Sequence, residues 1–180
     1  MTIDLDMEFP NTPQDVIVIT TGGTIEKSYD EYDGSLENKE SIIKHLILEK
    51  LRMPYTRLHV HALLAKDSLN MTDYDRTLIA KTIEIQLSKG WPIIVLHGTD
   101  TMAKTAETCQ KYLKNLDRPV VFTGAMKPMG FDDSDARQNV TEALLASKIL
   151  KPGVYISFHN RIFPVPGVRK NKSKRTFEAI

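Results

Sequence analysis

Short β-branched runs alternate along this chain with longer amphipathic stretches, and no other feature of the sequence restricts the fold as much. Asp15-Val16-Ile17-Val18-Ile19-Thr20 holds a continuous apolar run that leads straight into glycines, the pattern of a strand buried on both faces. Leu58 to Leu64, Pro92 to Leu96, Pro119 to Thr123 and Val154 to Phe158 read as four further strands. Helical periods lie between them. Ile42, Ile43, Leu46 and Ile47 share one face of a helix expected from about Asn38 to Leu51. Thr72, with Asp75 three positions on, marks the start of a helix striped by Ile79, Ile83 and Leu87 that stops at Gly90. Met102, Ala106, Cys109 and Leu113 align on a third helix, and Asp135 can cap a fourth that turns Val140, Ala143, Leu144 and Ser147 inward. Strands separated by helices specify a doubly wound α/β fold: a mostly parallel sheet of five strands or slightly more, with helices on both faces.

At 180 residues, 41% apolar and 26% charged, the chain is sized for one domain with its own core, so 1–180 is expected to form a single α/β domain. A net charge of +1 supplies no field to recruit nucleic acid or an anionic membrane, and neither is expected as a partner. Cys109 is the single cysteine, which rules out an intramolecular disulfide and fits a reducing compartment. No apolar stretch approaches membrane-spanning length, and the acidic start Met1 to Asp6 lacks the basic region of a signal peptide. A cytoplasmic location is the expectation. The basic run from Arg169 to Arg175 reads at first as a solvated tail or surface loop.

In a doubly wound sheet, ligands sit beyond the carboxyl ends of the strands, so chemistry is sought in the loops that leave them. Thr21-Gly22-Gly23-Thr24-Ile25 follows the first strand, and its glycines allow a sharp turn and a close approach to a ligand. A phosphate cradle fits poorly, because no Gly-Lys-Ser/Thr ending and no Gly-x-Gly-x-x-Gly is present. His97-Gly98-Thr99-Asp100-Thr101 follows the third strand and sets two hydroxyls around a carboxylate at a helix start. One of Thr99, Asp100 and Thr101 is expected to cap that helix, which leaves the others without a structural reason.

Together these loops resemble the bacterial-type L-asparaginase/glutaminase family. Its two signatures, a Thr-Gly-Gly-Thr-Ile turn and a His-Gly-Thr-Asp-Thr-Met segment, stand here at 21–25 and 97–102. Asp67 to Thr72, Gly124 to Pro128 and Val168 to Asn171 agree as well, so the likeness spans essentially the whole chain. The resemblance implies Thr24 as nucleophile, with Thr99, Asp100 and Lys170 as the second threonine, its aspartate and its lysine. It also implies Tyr29 as the tyrosine that closes over Thr24, with Tyr32 as the other candidate. Substrate contacts are implied at Gly23, Asp67, Ser68, Gly98, Thr99 and Asp100, Ser68 holding an α-carboxylate and Asp100 an α-ammonium. The implied activity is hydrolysis of L-asparagine, with L-glutamine as the second candidate, in a homodimer or homotetramer that needs no cofactor and no metal.

The residue types suit that chemistry. A threonine hydroxyl is a poor nucleophile at neutral pH and needs a base within hydrogen-bond reach. Lysine serves only when desolvation or a neighbouring positive charge favours its neutral form. Backbone N–H groups of a glycine-rich loop can hold the tetrahedral oxyanion. Typical relatives are longer, with a smaller C-terminal domain that completes a neighbouring subunit's site with an acid. That domain is expected to be absent here, which leaves the acid to Glu26, Asp30, Glu31, Asp33 or a partner protomer. Leu69 stands where many relatives carry a small or polar residue. An amino-acid binder without turnover, or an amidase acting on another amide, are the competing readings. The near-neutral charge counts against an amidase that works on tRNA. His59 and His61 share a strand face but find no further ligand at zinc-like spacing. His97 is expected to orient its loop, Cys109 to fill the core, and Trp91 to sit at a strand edge or interface.

Overall fold

Five of the six strands of the main sheet run parallel, in the order β4-β1-β5-β6-β7-β8, and β8 closes one edge antiparallel to β7. The computed structural model describes residues 11–29, 36–38 and 50–180. The sheet is built from β1 (Gln14–Thr20), β4 (Thr56–Ala62), β5 (Ile93–Leu96), β6 (Pro119–Thr123), β7 (Gly153–Phe158) and β8 (Arg161–Pro164). Two small hairpins accompany it: β2 (Lys27–Tyr29) with β3 (Leu36–Asn38), and β9 (Val168–Asn171) with β10 (Thr176–Ala179). The described helices are α1 (Asp73–Leu87), α2 (Met102–Tyr112) and α3 (Ala136–Ile149).

Alternation along β1 divides the core into two layers. Ile17 and Ile19 face a cluster holding Ile79 and Ile83 of α1 and Ala106 and Cys109 of α2. Val16 and Val18 face the opposite side, where Val140 and Ala143 of α3 pack. Helices therefore cover both faces, as the pattern required. Each fully buried Ile or Val contributes about 1.5–3 kcal/mol of transfer free energy, so the continuous runs at β1, β5 and β6 define the fold's centre.

Several boundaries move for local reasons. β4 begins two residues before Leu58 and ends at Ala62 rather than Leu64. The ladder stops at Thr20 opposite Ala62, and the Leu63 and Leu64 amides both turn onto the Thr20 carbonyl at 3.0 and 3.3 Å. Thr72 caps α1 as expected: its hydroxyl accepts from the Asp75 amide at 3.3 Å, while Asp75 accepts from the Thr72 amide at 2.8 Å. The helix expected over 38–51 falls on residues 39–49, outside the described residues, and Asn38 itself ends β3.

Asp135 departs from expectation. It stands at the N-cap position of α3 but makes no capping bond, because its carboxylate turns back to the Met126 and Lys127 amides, each at 3.0 Å. Burial pushes this carboxyl up, yet those two amides and the His159 ring outweigh it and hold the group below the usual carboxylate range. The basic run at the C-terminus is likewise no tail. It forms the β9–β10 hairpin, in which Arg169 and Lys174 both pair with Glu178, at 2.9 and 3.5 Å. No described helix is long and apolar enough to cross a membrane.

Candidate active site

Four strands end level with one another, which places their outgoing loops along a single edge. Thr20 lies opposite Ala62 and Leu96, and Leu96 lies opposite Thr123. Just beyond, the Thr21 amide and hydroxyl both donate to the Leu96 carbonyl, at 3.1 and 2.9 Å, and the His97 amide donates to the Thr123 carbonyl at 2.9 Å. The ladder thus holds the first residue of each loop.

The loops then meet main chain to main chain. Gly23 has φ +89°, and a β-carbon there would lie 2.4 Å from the Gly98 α-carbon. A β-carbon on Gly98 would lie 2.6 Å from the Ser68 hydroxyl oxygen. Only glycine permits either approach. Since Thr24 follows Gly23 and Thr99 follows Gly98, the contact brings the two threonine-bearing turns together, with Ser68 on the far side of Gly98. Thr24, half-buried, opens a 3-10 turn (Thr24–Glu26), and Thr99 is fully buried.

Ser68 begins another short 3-10 turn (Ser68–Asn70), capped by Asp67, whose carboxylate accepts from the Leu69 amide at 3.0 Å. The Thr101 hydroxyl reaches across to donate to the Ser68 carbonyl at 2.8 Å. The expectation that Thr99, Asp100 or Thr101 caps α2 therefore fails: Thr101 occupies the N-cap position without a capping bond. Tertiary partners take all three side chains instead. This Thr101 clamp was missed at the sequence level, since a threonine before a helix signals a cap and nothing more local. The Ser68 hydroxyl is itself buried, with no hydrogen-bond partner among the described residues.

Lys170 completes the cluster from the other end of the chain. Its Nζ donates to the Thr99 hydroxyl at 2.7 Å and to the Asp100 carboxylate at 2.9 Å. The lysine side chain is 18% exposed and the aspartate 31%. The position follows from β9, where Lys170 is paired with Phe177 of β10, a buried ring packed edge-on against Phe158 with centroids 5.0 Å apart. A second ion pair stiffens the neighbouring loop: Lys66 bonds the buried Asp75 at 2.7 Å and, with the Thr72 groups, keeps that carboxyl low against the effect of burial.

His97 is fully buried behind the glycine contact, and its Nδ1 donates to the Gly98 carbonyl at 2.8 Å. Burial lowers its pKa to about 4, so at neutral pH it is an uncharged brace for the loop. Cys109 lies in the core, where burial raises its thiol to about 12. Trp91 stacks on His59 at 4.6 Å, and that histidine bonds Asp15 at 2.7 Å. Tyr29 ends β2, but its side chain, together with Tyr32, Asp30, Glu31, Asp33 and the Glu26 side chain, lies outside the described residues.

The family model described as Asparaginase, N-terminal, matches residues 15–180. A 60 kDa lysophospholipase of Mus musculus is 41% identical over 113 residues, covering 62% of this chain and 20% of that protein. L-asparaginase 1 of Escherichia coli (strain K12) is 32% identical over 154 residues, covering 82% of this chain and 45% of that protein. The solved structure of the thermostable L-asparaginase from Thermococcus kodakarensis superposes with a TM-score of 0.85 at 28% identity, over 93% of this chain and 51% of that one. The chain thus spans less than half the length of these two curated relatives.

Proposed function

Since the chain belongs to the asparaginase family, carrying its N-terminal domain over residues 15–180, we propose that it hydrolyses L-asparagine to L-aspartate and ammonia through a threonine nucleophile. The observation that carries this reading is the Lys170 amine, held on both Thr99 and Asp100 beside the Gly23–Gly98 contact. Such a relay has no use in a protein that only binds.

In this reading Ser68, whose buried hydroxyl lacks a partner among the described residues, receives the substrate's α-carboxylate. Asp100 receives the α-ammonium. The arriving cation competes with Lys170 for that carboxylate and leaves the amine to its partner Thr99. Thr24 attacks the side-chain carbonyl, assisted by Tyr29, and backbone N–H groups around Gly23 and Gly98 hold the oxyanion. The proton lost by the Thr24 hydroxyl passes to the amide nitrogen, the C–N bond breaks, ammonia leaves, and an acyl-threonine remains. Water positioned by Thr99 and Lys170, with Asp67 supporting the Ser68 turn, then cleaves the ester. The same proposal takes the working form as a homo-oligomer in the cytoplasm.

Ammonia release from L-asparagine tests the assignment, with L-glutamine and a lysophospholipid assayed alongside because of the murine relative. Thr24→Ala and Thr99→Val are each expected to lose kcat by several orders of magnitude. Near-normal turnover in either variant would remove its residue from the mechanism. Saturable asparagine binding without ammonia would make the chain an amino-acid binder.

A further inference from the structure

We propose that His159, bridging Asp135 and Thr176, is a positioning residue that sets where the Lys170 amine stands; the functional consequence rests on the role given to Lys170 above. The histidine lies in the turn joining β7 to β8, where His159 and Asn160 have φ of +47° and +60°. Two consecutive positive φ values are the geometry of a tight hairpin turn that ordinarily selects Asn-Gly. Histidine is one of the few non-glycine residues that populate this region, yet the left-handed conformation still costs any residue with a β-carbon energy. A residue kept there against its own preference points to the side chain as the reason.

That side chain uses both ring nitrogens. Nε2 meets the Asp135 carboxylate at 2.8 Å, and Nδ1 meets the Thr176 hydroxyl at 3.0 Å. A carboxylate only accepts, so Nε2 carries a hydrogen, and the Thr176 hydroxyl, which can both donate and accept, pairs with Nδ1. The His159 amide adds a bond to the Asn139 side-chain oxygen at 3.1 Å.

Each end of this bridge is fixed to something different. Asp135 is tied to the loop after β6 through the Met126 and Lys127 amides, and to α3 through Asn139 at 2.9 Å. Thr176 opens β10 opposite Asn171, and the next residue, Phe177, is the cross-strand partner of Lys170. The bridge thus joins the rigid sheet to the hairpin one residue from the lysine's partner. Among the described residues, and apart from the Lys170 bonds themselves, the hairpin is anchored by the buried apolar side chains of Val168 and Phe177. Apolar contact is non-directional and resists separation better than sliding, whereas hydrogen bonds fix register. A slide along the strand is the motion that would carry the Lys170 amine off Thr99.

Three variants test the bridge. Thr176→Val keeps shape and loses the hydroxyl; Thr176→Ser restores it. His159→Asn suits the turn better but is too short to span both partners. With L-asparagine as substrate, Thr176→Val and His159→Asn should lower kcat on the order of ten- to a hundred-fold with KM little changed, the scale of a small misplacement of a reacting group. Thr176→Ser should recover most of that loss. Turnover within about two-fold of the parent in Thr176→Val or His159→Asn would overturn the proposal. So would a loss that Thr176→Ser fails to recover. If the parent chain releases no ammonia, the hydrolase reading fails on its own. The bridge is then judged by the 13Cε resonance of Lys170, assigned through Lys170→Arg: it should move in Thr176→Val and return in Thr176→Ser, and an unmoved signal overturns the proposal.

Discussion

His97 links the site to the stability of the whole chain. Its folded pKa of about 4 lies below the ordinary 6.5, because burial disfavours the imidazolium and Arg76 adds a like charge. Between those two values the unfolded chain takes up a proton that the folded chain refuses. Stability from this residue is therefore complete above about pH 6.5 and is lost as pH falls toward 4, by about 3 kcal/mol in all. Urea unfolding across that range should give a midpoint that declines with acidity. His97→Gln, less stable at neutral pH, should show a flatter decline; an unchanged slope would place the effect elsewhere. At this scale the sequence spoke clearly where side chain and loop coincide. Thr99, Asp100 and Lys170 stand together as the signatures implied. Asp135 misled, since an aspartate before a helix reads as a cap, and the partners that give it other work, the Met126 and Lys127 amides and the His159 ring, are invisible to local sequence.

The β9–β10 hairpin is the element on which the lysine depends. Phe177 is fully buried and meets Phe158, so Phe177→Ala should destabilise the fold by about 3–5 kcal/mol. It should also abolish ammonia release under conditions where circular dichroism still reports folded sheet and helix. Retained turnover would mean that β9 is held by other means. Neither this hairpin nor β8 was legible in advance. Each of their strands has only four residues, and β8 and β9 carry Arg, Lys or Pro while β10 carries Glu178, too short and too polar to establish an alternating period. β1, β5 and β6 were legible because burial on both faces demands unbroken apolar runs rich in β-branched residues. The cap at Thr72 was legible because both halves of its reciprocal bond lie within four residues.

Across the whole molecule, stability is centred on the middle of the sheet and declines toward its edges. Every residue of β5 and β6 is buried, as are Val16 to Thr20 of β1, whereas β4 has only half-buried and exposed residues and β8 is exposed at both ends. Native-state hydrogen exchange should be slowest in β1, β5 and β6 and faster in both outer strands. Comparable protection in β4 would indicate that something covers that edge. The junction of Gly23 with Gly98 sits directly on the slow centre and consists of backbone atoms alone. The spacing of the two turns there is set by main chain, and neither Gly23 nor Gly98 has a side chain that could be trimmed to change it. Beside Ser68, by contrast, Leu69 is 69% exposed and can be exchanged without disturbing the core, so what the site admits is open to adjustment from that side.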